Sequence, residues 1–366
     1  MGPLTLRVAI VAPSLRHMLG GQEVQGDQLV RGWIGSNVVE AQLIETNPVC
    51  RGPFSFVERI PIVRTIFRVP ARVVALASAL RNADIMHVFA GAHSSFLLGS
   101  LPAIVAAKAA GKRVIVHYHS PFAEAHLGRS SLARFVLRHC DAVVVPSQYL
   151  HDIFLRHHVA TRIIPNVVDA ERFRWRKAAV MNDVVVCIRN FEHRYGVDDV
   201  IRAFTNVQQV LPDAALVLVG AGPEERALVG LVEALGVRNV TFAGAVARDA
   251  LPRVLESCAI MINASREDNM PLTIMEAFAG GIPVVTTTAG GIPTFALHER
   301  NALLAAPNDV EVLARHVTTL LNDRAHAMRL ASAARVDVQQ FTWDVVGPAW
   351  QALYTELRDP RASAPA

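Results

Sequence analysis

Short apolar runs, each followed by a longer segment of helical period, recur along the whole chain. The first series is LRVAIVA (6–12), AQLIET (41–46), DIMHVFA (84–90), RVIVHYH (113–119) and DAVVVPS (141–147), closed by RIIPNVV (162–168). The second is DVVVCIRN (183–190), AALVLVG (214–220), NVTFAGA (239–245), AIMINAS (259–265) and IPVVTTT (282–288). Runs that are apolar on both faces need a sheet covered by helices on both sides. Segments 197–211, 224–235, 249–257, 271–280 and 310–322 carry a helical pattern between them. The alternation predicts an α/β chain with two Rossmann-like, doubly wound parallel sheets.

At about 100–200 residues per domain, 366 residues also suggest two domains. The expected division is 1–168, completed by 345–358, then 169–344, with 359–366 as a disordered tail. The polar stretch 168–182 lacks a strand signal and marks the boundary. The segment FTWDVVGPAWQALYTEL (341–357) follows a second series that already looks complete. Its bulky residues Trp343, Trp350, Leu353 and Tyr354 suit a helix that crosses back onto the first domain.

An apolar content of 52% excludes a disordered chain. A net charge of +4 does not by itself indicate a nucleic-acid partner, and none is expected. The charge is unevenly spread: residues 1–170 hold 17 basic and 10 acidic side chains, and the remainder 19 and 22. Cys50, Cys140, Cys187 and Cys258 form no CxxC spacing, so a zinc or redox motif is unsupported and a reducing compartment fits. LRVAIVAP reads as a first strand rather than a leader, and no uninterrupted run is long enough for a transmembrane helix. A cytoplasmic protein is expected. Between 59 and 81, Arg64, Arg68 and Arg72 recur every fourth residue among apolar side chains. As a helix this stripe would suit peripheral contact with an anionic membrane at its inner face; a solvated helix face is the plain alternative.

Three turns carry candidate chemistry. Gly20-Gly21 and Gln22 stand where the first strand passes into a helix, which suits a phosphate at free backbone N–H groups or a plain flexible turn. GAGPEERAL (220–228) places Gly220 and Gly222 after a strand but Glu225 where a dinucleotide fingerprint needs a third glycine, so a tight turn is favoured over nicotinamide binding. SREDNMPLTIMEAFAGGIPVVTTTAGGIP (265–293) is the most informative stretch. Asp268, Asn269, Met270, Pro271 and Leu272 form a polar loop entering a helix, with Pro271 near its first position, and Glu276 follows inside it. Such an arrangement can hold a nucleoside diphosphate end to end: phosphate on the helix amides, ribose hydroxyls on the carboxylate.

Together with HYHS (117–120), IPNVVD (164–169), IRNFEHRYGVD (188–198), LVGAGPE (218–224) and FAGAV (242–246), this block makes the chain resemble glycosyltransferase family 4 over nearly its whole length. The resemblance implies a retaining enzyme of the GT-B fold. Its site would lie between two domains, with the nucleotide-sugar donor mainly on the second and a glycan, lipid-linked or small-molecule acceptor mainly on the first. It implies that Glu276 binds ribose, Asp268 contacts the donor sugar, Arg189 the diphosphate, and His119 the transferred sugar. Gly20, Gly21, Gln22, Gly222, Ala245, Val246, Asn269, Met270, Pro271 and Leu272 would line the donor.

Two residues depart from the family pattern. Asp268 is a shorter acid than the usual glutamate, and Tyr195 replaces the lysine expected before Gly196, leaving Arg194 to supply that charge. No DxD motif occurs, so neither metal nor cofactor is expected. The loop SPFAEAHLGRSS (120–131), through Glu124 and His126, is expected to meet the acceptor. A GT-B sugar-nucleotide epimerase and a non-catalytic nucleotide-sugar-binding relative are the alternatives.

Overall fold

The computed structural model describes residues 5–13, 20–46, 74–176 and 182–358. Most of the arginine stripe (59–81) and the tail 359–366 lie outside the described residues.

The first series of apolar runs forms β1 (Leu6–Ala12), β2 (Val39–Glu45), β3 (Ile85–Ala90), β4 (Arg113–Tyr118), β5 (Ala142–Val145) and β6 (Arg162–Ile163). They pair in the order β2-β1-β3-β4-β5-β6, all parallel. Every residue of β3 is buried, as is every residue of β1 except Arg7, which is the burial that doubly apolar runs require. The second series forms β7 (Val184–Ile188), β8 (Ala215–Val219), β9 (Val240–Gly244), β10 (Ile260–Ile262), β11 (Val284–Thr287) and β12 (Leu303–Ala305). Their order is β12-β11-β10-β7-β8-β9, again all parallel. Helices connect the strands, so both sheets are doubly wound. β12 is absent from the sequence reading.

The chain divides into two compact units, Met1–Val167 with Trp343–Ala366, and Val168–Thr342. The helix Trp343–Arg358 buries Trp350, Leu353 and Tyr354 in the same core as Leu6, Val8 and Ile10 of β1 and Ile85 and Phe89 of β3. Trp343 lies flush on the backbone of Gly32, where a Cβ would collide with the indole. Tyr354 Oη and His87 Nδ1 are 2.7 Å apart, which gives the buried phenol a partner. Among the described residues no helix is long and apolar enough to cross a membrane.

The terminal helix thus supplies core to the first sheet. Trp350→Ala is expected to remove roughly 3–5 kcal/mol from the first unit. In a denaturant titration with probes in each unit, the first unit's transition should move to lower denaturant while the second unit's stays in place. Equal movement of both transitions would contradict this assignment of the helix.

Candidate active site

In the second sheet β7 has β8 on one side and β10 on the other, so the strand order reverses there. A crevice opens outside the carboxyl ends of parallel strands at such a point. Arg189 follows the last residue of β7 and Asn263 the last residue of β10. Arg189 Nε donates to Asn263 Oδ1 at 2.8 Å, and its Nη2 lies 2.9 Å from Asp268 Oδ2. Ser265 Oγ donates to Asn263 Oδ1 at 2.8 Å and approaches Asp268 Oδ2 at 3.3 Å. Asn263 Nδ2 is held by Thr286 Oγ1 at 2.9 Å, and Asp268 Oδ1 accepts the Asn269 N–H at 2.9 Å. The Arg189 and Asp268 side chains are only 9% and 14% exposed. A network this dry fixes both charges in direction as well as position.

The turn His193–Tyr195 stands beside this pair. It ends at Gly196 with φ +59, and a Cβ there would collide with the carbonyl of Ala264. The turn is therefore pressed against the residues after β10. The Arg189 guanidinium carbon lies 5.2 Å from the Tyr195 ring centroid, and that of Arg194 lies 4.6 Å away. Arg194 Nε is 3.0 Å from Glu192 Oε2. Arg266 donates to Asp198 and Asp199 at 2.8 and 2.7 Å, and its backbone N–H bonds the Arg194 carbonyl. Gly222 packs so closely on the Phe191 carbonyl that a Cβ would not fit, a structural reason for a glycine at that point.

The helix Leu272–Gly280 begins one residue later than its sequence pattern suggests. Pro271 is its cap, with φ −65 and ψ 118. Pro271, read as near the first helical position, is the cap and has no N–H, so the helix's own donors start at Leu272. Asn269, Met270, Pro271 and Leu272 are buried. Glu276 is 4% exposed, with Arg248 Nη2 3.8 Å from its Oε1. Burial pushes the Glu276 carboxyl up to about 7; Arg248 and Arg172 oppose the rise and Asp169 adds to it. The sequence reading missed Arg248. It stands just beyond β9, Ala245 and Val246, of which Ala245 is exposed and Val246 half-buried. Its only sequence signal is a cation two residues after FAGAV.

The first unit gathers a second group at the carboxyl ends of β1, β3 and β4. Gly20 caps the helix Gly21–Gly32, and Gln22 Nε2 reaches the Ala90 carbonyl at 3.5 Å. A Cβ on Gly20 would collide with the Glu23 carboxyl, so that helix end already has an acid folded over it. The His119 N–H bonds the Ala90 carbonyl at 3.1 Å, and its ring stacks on Phe89 with centroids 5.0 Å apart. Among the described residues the buried His119 Nε2 has no hydrogen-bond partner. His117 lies 4.1 Å from His119 between ring centroids, and its Nδ1 is 3.2 Å from His87 Nε2. Burial, aided for His87 by the neighbouring His119, holds His87 and His119 down at about 3 and His117 well below its ordinary value.

The segment read as an acceptor loop is in part a helix, Ala123–Arg129. Ala123, His126 and Leu127 form its buried face, a spacing of three and four residues. His126 is 2% exposed and its Nδ1 lies 2.9 Å from Tyr118 Oη, so it is a core residue rather than an open contact. Glu124 is exposed and engaged by Arg156 at 2.6 Å and His157 at 3.0 Å.

Residues 19–172 match the family described as Glycosyltransferase Family 4, and residues 169–337 match Glycosyl transferases group 1. The chain belongs to the family 4 glycosyltransferases. A GDP-mannose-dependent alpha-(1-6)-phosphatidylinositol monomannoside mannosyltransferase of Mycobacterium tuberculosis is 31% identical over 241 residues. That match covers 59% of this chain and 63% of the relative, so the chain spans somewhat less than two thirds of its length. Among solved structures, sucrose-phosphate synthase from Thermosynechococcus elongatus superposes with a TM-score of 0.75 at 21% identity, covering 96% of this chain and 99% of that one. Anabaena HepE in complex with UDP-glucose gives 0.74 at 20%, covering 96% and 100%. The fold is GT-B.

Glu276 yields a signed prediction. Its folded carboxyl titrates near 7 against an ordinary 4.5, so the folded state holds its proton more tightly than the unfolded state. Stability from this group is present below about pH 4.5 and is lost as pH rises through 7. Glu276→Gln removes that loss and is expected to stabilise the ligand-free protein at pH 8 by on the order of 2–3 kcal/mol relative to wild type. Thermal unfolding of both proteins from pH 5 to 8 checks it: the gap must widen with pH, and a constant gap would refute the buried carboxyl as its cause.

Proposed function

We propose that the chain transfers a sugar from a nucleoside diphosphate donor, UDP- or GDP-linked, to a glycan, lipid-linked or small-molecule acceptor. Configuration at the anomeric carbon is retained and no metal is required. The observation that carries this reading is the constellation at the reversal of the second sheet. There Asp268, held against Arg189 at the end of β7, stands on the same loop-and-helix unit as the buried Glu276. A diphosphate needs cations and helix amides, a ribose needs an acceptor for its hydroxyls, and a sugar needs polar groups between them.

Transfer places negative charge on the departing diphosphate and positive charge at the anomeric carbon. Preorganised cations that neutralise the former give the largest single stabilisation. Arg189 and Arg194 take that role, with the Leu272–Gly280 helix end. Glu276 accepts from the ribose. Asp268 and His119 position the sugar rather than acting as general bases, and the departing phosphate takes the acceptor's proton. HepE holds UDP-glucose in its solved complex, and the mycobacterial relative is named as GDP-mannose-dependent. Both support a nucleotide-sugar donor, and together they leave both bases in play.

Incubation with a panel of UDP-, GDP- and ADP-sugars should release nucleoside diphosphate with at least one of them. Glu276→Ala should lower that rate at least tenfold, the loss of a charge-assisted hydrogen-bond acceptor of about 1.5–3 kcal/mol. Release should persist in EDTA; its loss, with recovery on manganese, would overturn the metal-free reading. Nucleotide binding without turnover on any acceptor would favour a non-catalytic binding protein instead.

A further inference from the structure

We propose that Tyr195 is a positioning residue of the donor site, whose ring gathers the guanidinium groups of Arg189 and Arg194 into one clamp for a diphosphate. The inference rests on the nucleotide-sugar reading above and names the device that fits that site to two phosphoryl groups. Both guanidinium carbons lie within 6 Å of one ring centroid, at 5.2 and 4.6 Å, inside the range where the ring quadrupole attracts a cation. Two neighbouring guanidinium groups repel one another, and a shared ring offsets that repulsion without adding charge.

The ring itself is anchored. Tyr195 packs against the second unit's core, and the left-handed Gly196, seated on the Ala264 carbonyl, sets the end of its turn. Arg189 is held from the other side by Asn263 and Asp268, and Arg194 by Glu192. Each planar fork can meet a phosphate in bidentate fashion, which a point charge cannot do. Two forks on one ring suit two linked phosphoryl groups better than one.

The test is calorimetric titration of the full chain with UDP, UMP, GDP and GMP, using Tyr195→Leu, Tyr195→Phe and Arg194→Gln. The clamp predicts that Tyr195→Leu weakens the preferred diphosphate about tenfold while the matching monophosphate changes less than about twofold, and that Tyr195→Phe restores the diphosphate. Equal losses for both nucleotides would mark a merely structural tyrosine and overturn the proposal, as would an unchanged diphosphate affinity. Should Tyr195→Leu not fold, Arg194→Gln carries the test: a loss confined to the diphosphate supports the clamp, and no loss overturns it. If the unaltered protein binds neither diphosphate, the nucleotide-sugar reading fails and the clamp with it.

Discussion

A parallel sheet whose strand order reverses has neighbouring strands whose chains leave for opposite faces, and a crevice opens beyond their carboxyl ends. In the second unit that place is the junction of β7 and β10. The first residue after each strand, Arg189 and Asn263, stands at its edge, and the two bond to one another at 2.8 Å. Everything else there is arranged around this bond. Asp268 closes on the same guanidinium, Thr286 holds the amide from β11, and the turn through Tyr195 is pressed against the residues that follow β10. The position of the candidate site is thus a consequence of topology, and its chemistry is a consequence of which side chains stand one residue beyond two strands.

The cations of this region are partnered within the same unit: Arg189 by Asp268, Arg194 by Glu192, and Arg248 by Glu276. Removing a charge from water costs several kcal/mol unless a partner and hydrogen bonds offset it. The pairing therefore explains how so many charges persist in a poorly exposed place. It also means that a phosphate entering this region competes with carboxylates for the same forks. Donor affinity would then be a difference between two ionic arrangements, one internal and one with ligand. Asp268, one methylene shorter than glutamate, lies close enough to Arg189 for a direct ion pair, which ties its orientation to the arginine it serves.

Much of this was legible in the sequence for a physical reason. Strands apolar on both faces announce a covered parallel sheet, and β3 and β1 are buried as that pattern demands. The Leu272–Gly280 helix, its polar loop and the acid inside it are local features, written within a dozen residues. What failed was also physical. His126 is expected in a loop from its place after the end of β4, yet Ala123, His126 and Leu127 repeat at helical spacing and turn inward. Arg248 beside Glu276, and one ring shared by Arg189 and Arg194, depend on where long side chains fold across space. No linear spacing encodes that.

The two units differ in the charge state of their buried polar groups. In the first, His87, His117 and His119 form a column of buried rings continued to Tyr354, and burial keeps all three imidazoles uncharged at neutral pH. A neutral His119 cannot stabilise a departing diphosphate by charge. It can still donate or accept a hydrogen bond through a buried Nε2 that has no partner among the described residues. In the proposed reaction that leaves it the role of orienting a hydroxyl, for which a fixed, uncharged ring suffices. In the proposed reaction the leaving group is stabilised by the arginines of the second unit, which remain charged at any physiological pH. The proposed reaction needs both functions but not on one side chain.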